Sequence, residues 1–126
     1  MDIKKIVVAD DSKMARTFGQ RCLEISGCKD AEFIMAEDGA EGLKFTQEQV
    51  PDLIVSDLNM PNMTGTEFLA AVKSDDKLKH IPCIMVTSAG NPAKEKELQD
   101  LGALAIIHKP VAPPKLVPII SKLLAG

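Results

Sequence analysis

Carboxylates, hydroxyls and one ammonium recur at the ends of short apolar runs in this chain. Asp10 and Asp11 follow Ile6-Val7-Val8-Ala9, and Asp57 follows Leu53-Ile54-Val55-Ser56. Thr87 and Ser88 follow Ile84-Met85-Val86, and His108, Lys109 and Pro110 follow Ile106-Ile107. Carboxylates held a few ångströms apart repel one another, so they either hold a cation or have a raised pKa. An all-oxygen set with few protein ligands suits Mg2+, which keeps several waters and recruits phosphate oxygens. A carboxylate beside such an ion can attack phosphorus and form an acyl phosphate. Lys109 would neutralise the oxygens of the transferred group, and the Thr87 hydroxyl could donate to one of them.

Each residue taken alone has a plainer reading. Asp11 before Ser12 could be a helix N-cap. Asp57 before Leu58-Asn59-Met60-Pro61 could be a turn residue, because Asp, Asn and Pro form turns. Thr87 alone is a strand-end residue, and Lys109-Pro110 alone says almost nothing. The conjunction is what points to chemistry: separate strand ends carry complementary groups, and each interval leaves room for at least a whole helix.

The elements that must bring these groups together are legible as alternating patterns. Apolar runs at Ile3–Ala9, Ala31–Ala36, Leu53–Ser56, Ile81–Val86 and Leu104–Ile107 are rich in β-branched residues. Such runs are expected as strands buried on both faces, as in a parallel sheet. Between them lie helical stretches. Met14, Phe18, Cys22 and Ile25 fall at spacings that predict one buried stripe, with Gly27 as a stop. Ala40–Gln49 is a weaker helix anchored by Leu43, in which Gly42 costs about 1 kcal/mol of propensity. Thr64-Gly65-Thr66-Glu67 reads as a capping box ahead of Phe68, Leu69 and Val72. Asn91-Pro92 reads as N-cap and first helical residue of a charged helix to Leu101, closed by Gly102. The last helix begins near Pro113-Pro114 and runs toward Leu124. Pro118 lacks an N–H, so that helix is expected to start late or to bend there.

Strand–helix alternation repeated in this way predicts an α/β fold with a parallel sheet and right-handed crossovers. A closed eight-stranded barrel needs about 250 residues, whereas the chain has 126. An open, doubly wound, flavodoxin-like sheet of five strands fits as a single domain over 1–126. Its ligand site is expected outside the carboxyl ends of the strands, where strand order reverses.

Composition narrows the function. The chain is 45% hydrophobic and 26% charged with a net charge of −3, which suits a globular domain and disfavours electrostatic binding to nucleic acid or to an anionic membrane. No apolar run approaches the ~20 residues that span a bilayer, and the N-terminus does not read as a signal peptide. Three cysteines, Cys22, Cys28 and Cys83, have no metal-site spacing and are expected as free thiols in a reducing cytoplasm. The only aromatic residues are four phenylalanines, which disfavours a stacking platform for bases or sugars.

Four segments carry a family resemblance that covers essentially the whole chain: Ile6-Val7-Val8-Ala9-Asp10-Asp11-Ser12, Val55-Ser56-Asp57-Leu58-Asn59-Met60-Pro61-Asn62-Met63-Thr64-Gly65, Met85-Val86-Thr87-Ser88-Ala89 and His108-Lys109-Pro110. The chain resembles the receiver domain of two-component response regulators, most closely the single-domain chemotaxis (CheY-like) type. The resemblance implies a strand order of 2-1-3-4-5 and Asp57 as phosphoacceptor. It implies a Mg2+ site of Asp11, Asp57 and the Asn59 main-chain carbonyl, with Asp10 acting mostly through water. Thr87 and the adjoining Ser88 would form the switch, Lys109 would pair with the phosphoryl group, and Pro110 would follow a cis peptide bond. A sensor histidine kinase would supply the phosphoryl group, the receiver would catalyse only its own phosphorylation and dephosphorylation, and small donors such as acetyl phosphate would also serve.

Two positions depart from the family pattern. Many receivers carry a Tyr or Phe where Ile106 stands, so coupling through the fourth helix, fifth strand and fifth helix cannot use a ring rotation here. Ala89 is small where chemotaxis relatives often carry a larger acidic residue, while Asn59 matches them. Both positions flank the phosphoryl group, and hydrolysis is expected to differ from those relatives. The resemblance leaves the downstream protein target open, a motor or relay protein being one option, with the chain a monomer or weak dimer, either free-standing or part of a larger regulator or hybrid kinase. The competing readings fit less well. A Mg2+-dependent aspartyl phosphatase would place a second Asp where Ser12 stands, a flavin-binding module would not place Asp10-Asp11 at its phosphate loop, and a degenerate receiver would not keep Asp10, Asp11, Asp57, Thr87 and Lys109.

Overall fold

Consecutive β-branched residues fit a strand whose two faces are both covered. The computed structural model, which describes residues 1–88 and 91–126, folds every apolar run into a strand. In chain order the elements are β1 (Lys5–Ala9), α1 (Lys13–Leu23), β2 (Glu32–Ala36), α2 (Gly39–Gln49), β3 (Leu53–Asp57), α3 (Gly65–Ser74), β4 (Cys83–Thr87), α4 (Pro92–Leu101), β5 (Ala105–His108) and α5 (Pro113–Ala125). The strands form one parallel sheet of order β2-β1-β3-β4-β5, the doubly wound order expected.

Alternation of side chains along each strand divides the core in two. Val7, Ile54 and Met85 point into the layer under α2, α3 and α4, with Phe68, Leu69, Val72 and Leu98. Ile6, Val8, Val55, Val86 and Ile107 point into the layer under α1 and α5, with Cys22, Leu23, Leu116 and Ile120. All five residues of β3 and all five of β4 are buried, as central strands require. Met60 and Met85 are buried in the first layer and Met63 packs against it, so these methionines fill core rather than surface. The three cysteines are free and buried.

The caps read from sequence are made by the atoms expected. The Thr64 hydroxyl accepts from the Glu67 N–H at 3.2 Å, and the Glu67 carboxylate accepts from the Thr64 N–H at 3.0 Å. Asn91 accepts from the Lys94 N–H at 3.0 Å, and Gly102 ends α4 with φ of +107°. The first helix differs: its N-cap is Ser12, whose hydroxyl accepts from the Ala15 N–H at 3.2 Å, which leaves Asp11 free of a capping role.

One expectation fails, and one alternative for the last helix is settled. The stripe Met14–Phe18–Cys22–Ile25 is not the buried face of α1, for only Cys22 is buried, while Met14, Phe18 and Ile25 are 82%, 50% and 69% exposed. The sheet meets the neighbouring stripe, in which Ala15 and Gly19 are too small to stand out in a hydropathy pattern. Beyond Leu23 the chain makes one turn of π-helix, Glu24–Cys28, where Gly27 takes φ of +127°. The last helix does not start late: it runs from Pro113 through Pro118 to Ala125. The missing N–H at Pro118 forfeits only one intrahelical bond, to the carbonyl of Pro114, and packing of Leu116 and Ile120 against the core holds the helix on both sides of it.

Candidate functional site

The parallel register carries the carboxyl ends of β1, β3, β4 and β5 to one edge of the sheet. Ala9 lies opposite Ser56, Asp57 opposite Val86, and Thr87 opposite His108. Asp10, Asp11, Asp57, Thr87 and Lys109 therefore meet where strand order reverses between β1 and β3.

Asp10, Asp11 and Asp57 present carboxylate oxygens that all lie within 4.8 Å of one another. Asp57 is buried at 5% exposure, Asp10 is half-buried and Asp11 exposed. The Lys109 ammonium stands 3.1 Å from Asp57 Oδ1, yet that oxygen accepts no hydrogen bond among the described residues. The pairing is thus one of charge. Burial pushes the Asp10 carboxyl above the ordinary range, with Asp57 and Asp11 adding repulsion, while the Ser12 N–H and Lys109 pull the other way. Three clustered carboxylates, one of them buried beside Lys109, form a donor set that fits a hard divalent cation.

Each group is held by backbone and by side chains outside the motifs. Asp10 Oδ1 accepts from the Ser12 N–H at 2.9 Å, and buried Arg16 donates to the Asp10 carbonyl from Nη1 at 2.6 Å. Asp57 is followed by a loop pressed against α3: the Gly65 N–H donates to the Leu58 carbonyl at 2.8 Å, and a Cβ on Gly65 would run into the Asp57 carbonyl. The Lys109 N–H donates to the Thr87 carbonyl at 2.8 Å, and the Lys109–Pro110 peptide bond is cis. Lys115 donates to the carbonyls of His108 and Pro110, each at 2.9 Å, clamping the loop that carries Lys109.

On the other side of Asp57, Thr87 and Ser88 border a shallow cleft with Asn59, Thr64 and Lys94. Thr87 is buried and its hydroxyl donates to the Ser88 carbonyl at 3.0 Å. Asn59 and Ser88 are exposed. Ile106 is half-buried against the layer under α2, α3 and α4. Ala89 lies outside the described residues. His108, beside Lys109, turns to α4 and shares a 3.1 Å contact with Glu95 through Nε2.

Sequence reading missed three positioning residues. Arg16 and Lys115 act on main-chain carbonyls and so have no partner that a motif would reveal. The third is Asp38. It is buried, caps α2 by accepting from the Glu41 N–H at 2.8 Å, and accepts from Asn62 Nδ2 at 2.7 Å. These hydrogen bonds lower its pKa, and they fasten the loop after Asp57, where Asn62 has φ of +66°.

An acidic cluster and a lysine thus stand together at the switch point of a doubly wound sheet. The response regulator receiver domain model matches residues 6–121. The polar-differentiation response regulator DivK of Brucella anthropi is 31% identical over 121 residues, covering 96% of each chain. The chemotaxis response regulator CheY4 of Vibrio cholerae is 34% identical with a TM-score of 0.83, covering 97% of this chain and 99% of that one. The Mn(2+)-bound form of response regulator Rcp1 is 29% identical with a TM-score of 0.77, covering 97% of this chain and 92% of that one. The chain belongs to the response regulator receiver domain family of two-component systems, of the CheY and DivK kind.

Proposed function

We infer that Asp57 is the phosphoacceptor and takes its phosphoryl group from the phosphohistidine of a sensor histidine kinase. The observation that carries this reading is the buried Asp57 Oδ1, which accepts no hydrogen bond among the described residues and lies 3.1 Å from the Lys109 ammonium within the carboxylate cluster. The Asp57 oxygen attacks phosphorus in line, an O–P bond forms, and the P–N bond of the donor breaks with its electron pair returning to the imidazole. With acetyl phosphate the bond broken is P–O and acetate leaves. Asp11 and Asp57, with Asp10 and the Asn59 carbonyl, are the groups that would hold Mg2+, which supplies charge neutralisation for the phosphoryl oxygens. The Mn(2+)-bound structure of the related Rcp1 supports a divalent cation in this family.

Lys109 is already beside Asp57 and neutralises an oxygen of the arriving group. Thr87 gives up its hydrogen bond to the Ser88 carbonyl to donate to another, and that exchange releases the backbone leading to α4. The signal is therefore a change in the surface of α4, β5 and α5. With Ile106 in place of an aromatic ring, it travels through the backbone of Thr87 and Ser88. The resting face of α4 is closed by pairs between Lys94 and Glu97 at 2.6 Å, Lys96 and Asp100 at 3.2 Å, and His108 and Glu95 at 3.1 Å. The target is a protein partner such as a motor or relay component, and the site of action is the cytoplasm. No helix among the described residues is long and apolar enough to cross a membrane. The chain acts as a signalling domain that catalyses only its own phosphorylation and dephosphorylation.

The test is intact mass after incubation with Mg2+ and acetyl phosphate. One added phosphoryl group is expected, absent in Asp57→Asn and absent with chelator. Failure of folded wild type to gain it from acetyl phosphate and from a phosphorylated kinase would overturn the reading.

A further inference from the structure

Beneath the acidic cluster, on the α1 and α5 side of the sheet, lies a cavity of about 440 Å³. Val8, Val55 and Val86 form its floor, Leu116 closes it from α5, and Ala15 and Gly19 form the wall from α1. Only Asp10, Asp57 and Lys109 bring charge to it, all at the end nearest the site. Half-exposed Phe18 forms part of the rim.

The cavity exists because α1 turns its smallest side chains to the sheet. A Cβ built on Gly19 would meet nothing closer than Val8 Cγ1 at 3.9 Å. Packing therefore does not require glycine there, and glycine inside a helix is unfavourable. Unfilled apolar volume is unfavourable too. Two destabilising choices at one place, without a compensating contact, are what a binding site looks like.

We propose that this cavity is a ligand site for a neutral, mainly apolar molecule of one or two rings with at most one hydrogen-bonding group. The size suits such a ligand, since an apolar cavity of about 150 Å³ already takes benzene and ligand pockets run from roughly 300 Å³ upward. Neutrality follows from the charged end: Lys109 is paired with Asp57 at 3.1 Å, so an anionic head would have to break that pair, and a cationic head would compete with it. A single donor on the ligand can reach the carboxylates without disturbing them. Because Asp57 and Lys109 are walls of both sites, occupancy of the cavity and phosphorylation of Asp57 are linked. The proposal itself does not depend on phosphorylation.

The test is a titration of the full chain with indole, followed by methyl resonances in two-dimensional NMR with and without Mg2+. Saturable shifts are expected at Val8, Val55, Val86 and Leu116, with Val7, Leu69 and Val72 across the sheet unmoved. Indole-3-carboxylate and tryptamine are expected to bind more weakly than indole. Gly19→Val is expected to raise the melting temperature and to weaken indole by at least about tenfold through filling the cavity. Gly19→Ala, which has room for its methyl, is expected to weaken indole by roughly fourfold, the worth of one buried methylene. Absence of saturable shifts on the α1 and α5 face, or equal affinity in a folded Gly19 variant, would overturn the site. Tighter binding of either charged analogue would overturn the ligand class.

Discussion

On the face of the sheet covered by α2, α3 and α4, glycine stands where a Cβ would collide with neighbouring atoms. A Cβ on Gly42 would lie 2.9 Å from Phe68 Cε2, and one on Gly65 or Gly39 would run into a main-chain carbonyl, of Asp57 or Met63. On the face covered by α1 and α5, Gly19 borders open volume and a cavity of about 440 Å³. The same residue type therefore does opposite things on the two sides of Asp57. On one side it lets backbone and ring approach closely, seating the loop that follows Asp57 against α3. On the other it leaves space beside the same aspartate.

Substitutions at these positions break the contrast or sharpen it. The largest effect is expected for Gly65→Ala, because the obstacle is the Asp57 carbonyl and backbone cannot rotate away as a side chain can. Denaturant unfolding should show a loss of about 3 kcal/mol or no folded protein. A loss below half a kilocalorie would mean that the loop is loose. Asp38→Ala comes next, losing a helix cap and the bond to Asn62, at a cost of about 2 kcal/mol at neutral pH.

That cost depends on pH with a defined sign. Hydrogen bonds hold the Asp38 carboxyl below its ordinary value of 3.8, so its contribution is fully present above that value. It is lost as pH falls through the lower folded value, where both states are protonated. The stability gap between wild type and Asp38→Ala should narrow on acidification. A gap that is flat down to acid unfolding would show that the charge on Asp38 does nothing.

Gly42→Ala is expected to destabilise by about 1 kcal/mol, since the gain in helix propensity is outweighed by the displaced Phe68 ring. Gly19→Ala carries the opposite sign and should stabilise by up to about 1 kcal/mol, there being room for the methyl and one fewer glycine in a helix. If both glycine-to-alanine changes moved stability in the same direction, the difference between the faces would be refuted.

Much of this was readable from residue order. Runs such as Ile6-Val7-Val8 and Leu53-Ile54-Val55 signal strands because β-branched residues suit a sheet covered on both faces. Strand-end acids and the lysine were visible because a parallel sheet must deliver every carboxyl end to one edge. The helix caps at Thr64 and Asn91 were visible because they act over three residues. The face of α1 was misread because hydropathy rewards large residues: Met14, Phe18 and Ile25 outshine the small Ala15 and Gly19 on the adjacent stripe. Asp38, Arg16 and Lys115 were missed because their partners are either main-chain atoms or, for Asn62, distant in sequence.

Residue order alone was enough for the five strands, the helices between them, the sheet order that the motifs imply, and the set of groups gathered around Asp57. These follow from local preferences and from a chain connectivity that has few solutions. It took the packed molecule to show that Asp57 Oδ1 is buried and accepts no hydrogen bond among the described residues, that Lys109 stands 3.1 Å from it, and that an apolar cavity opens behind it on the α1 and α5 side. The reason is physical: a contact between elements depends on how two surfaces fit, and fit is set by the volume on both sides at once, which no single stretch of sequence contains.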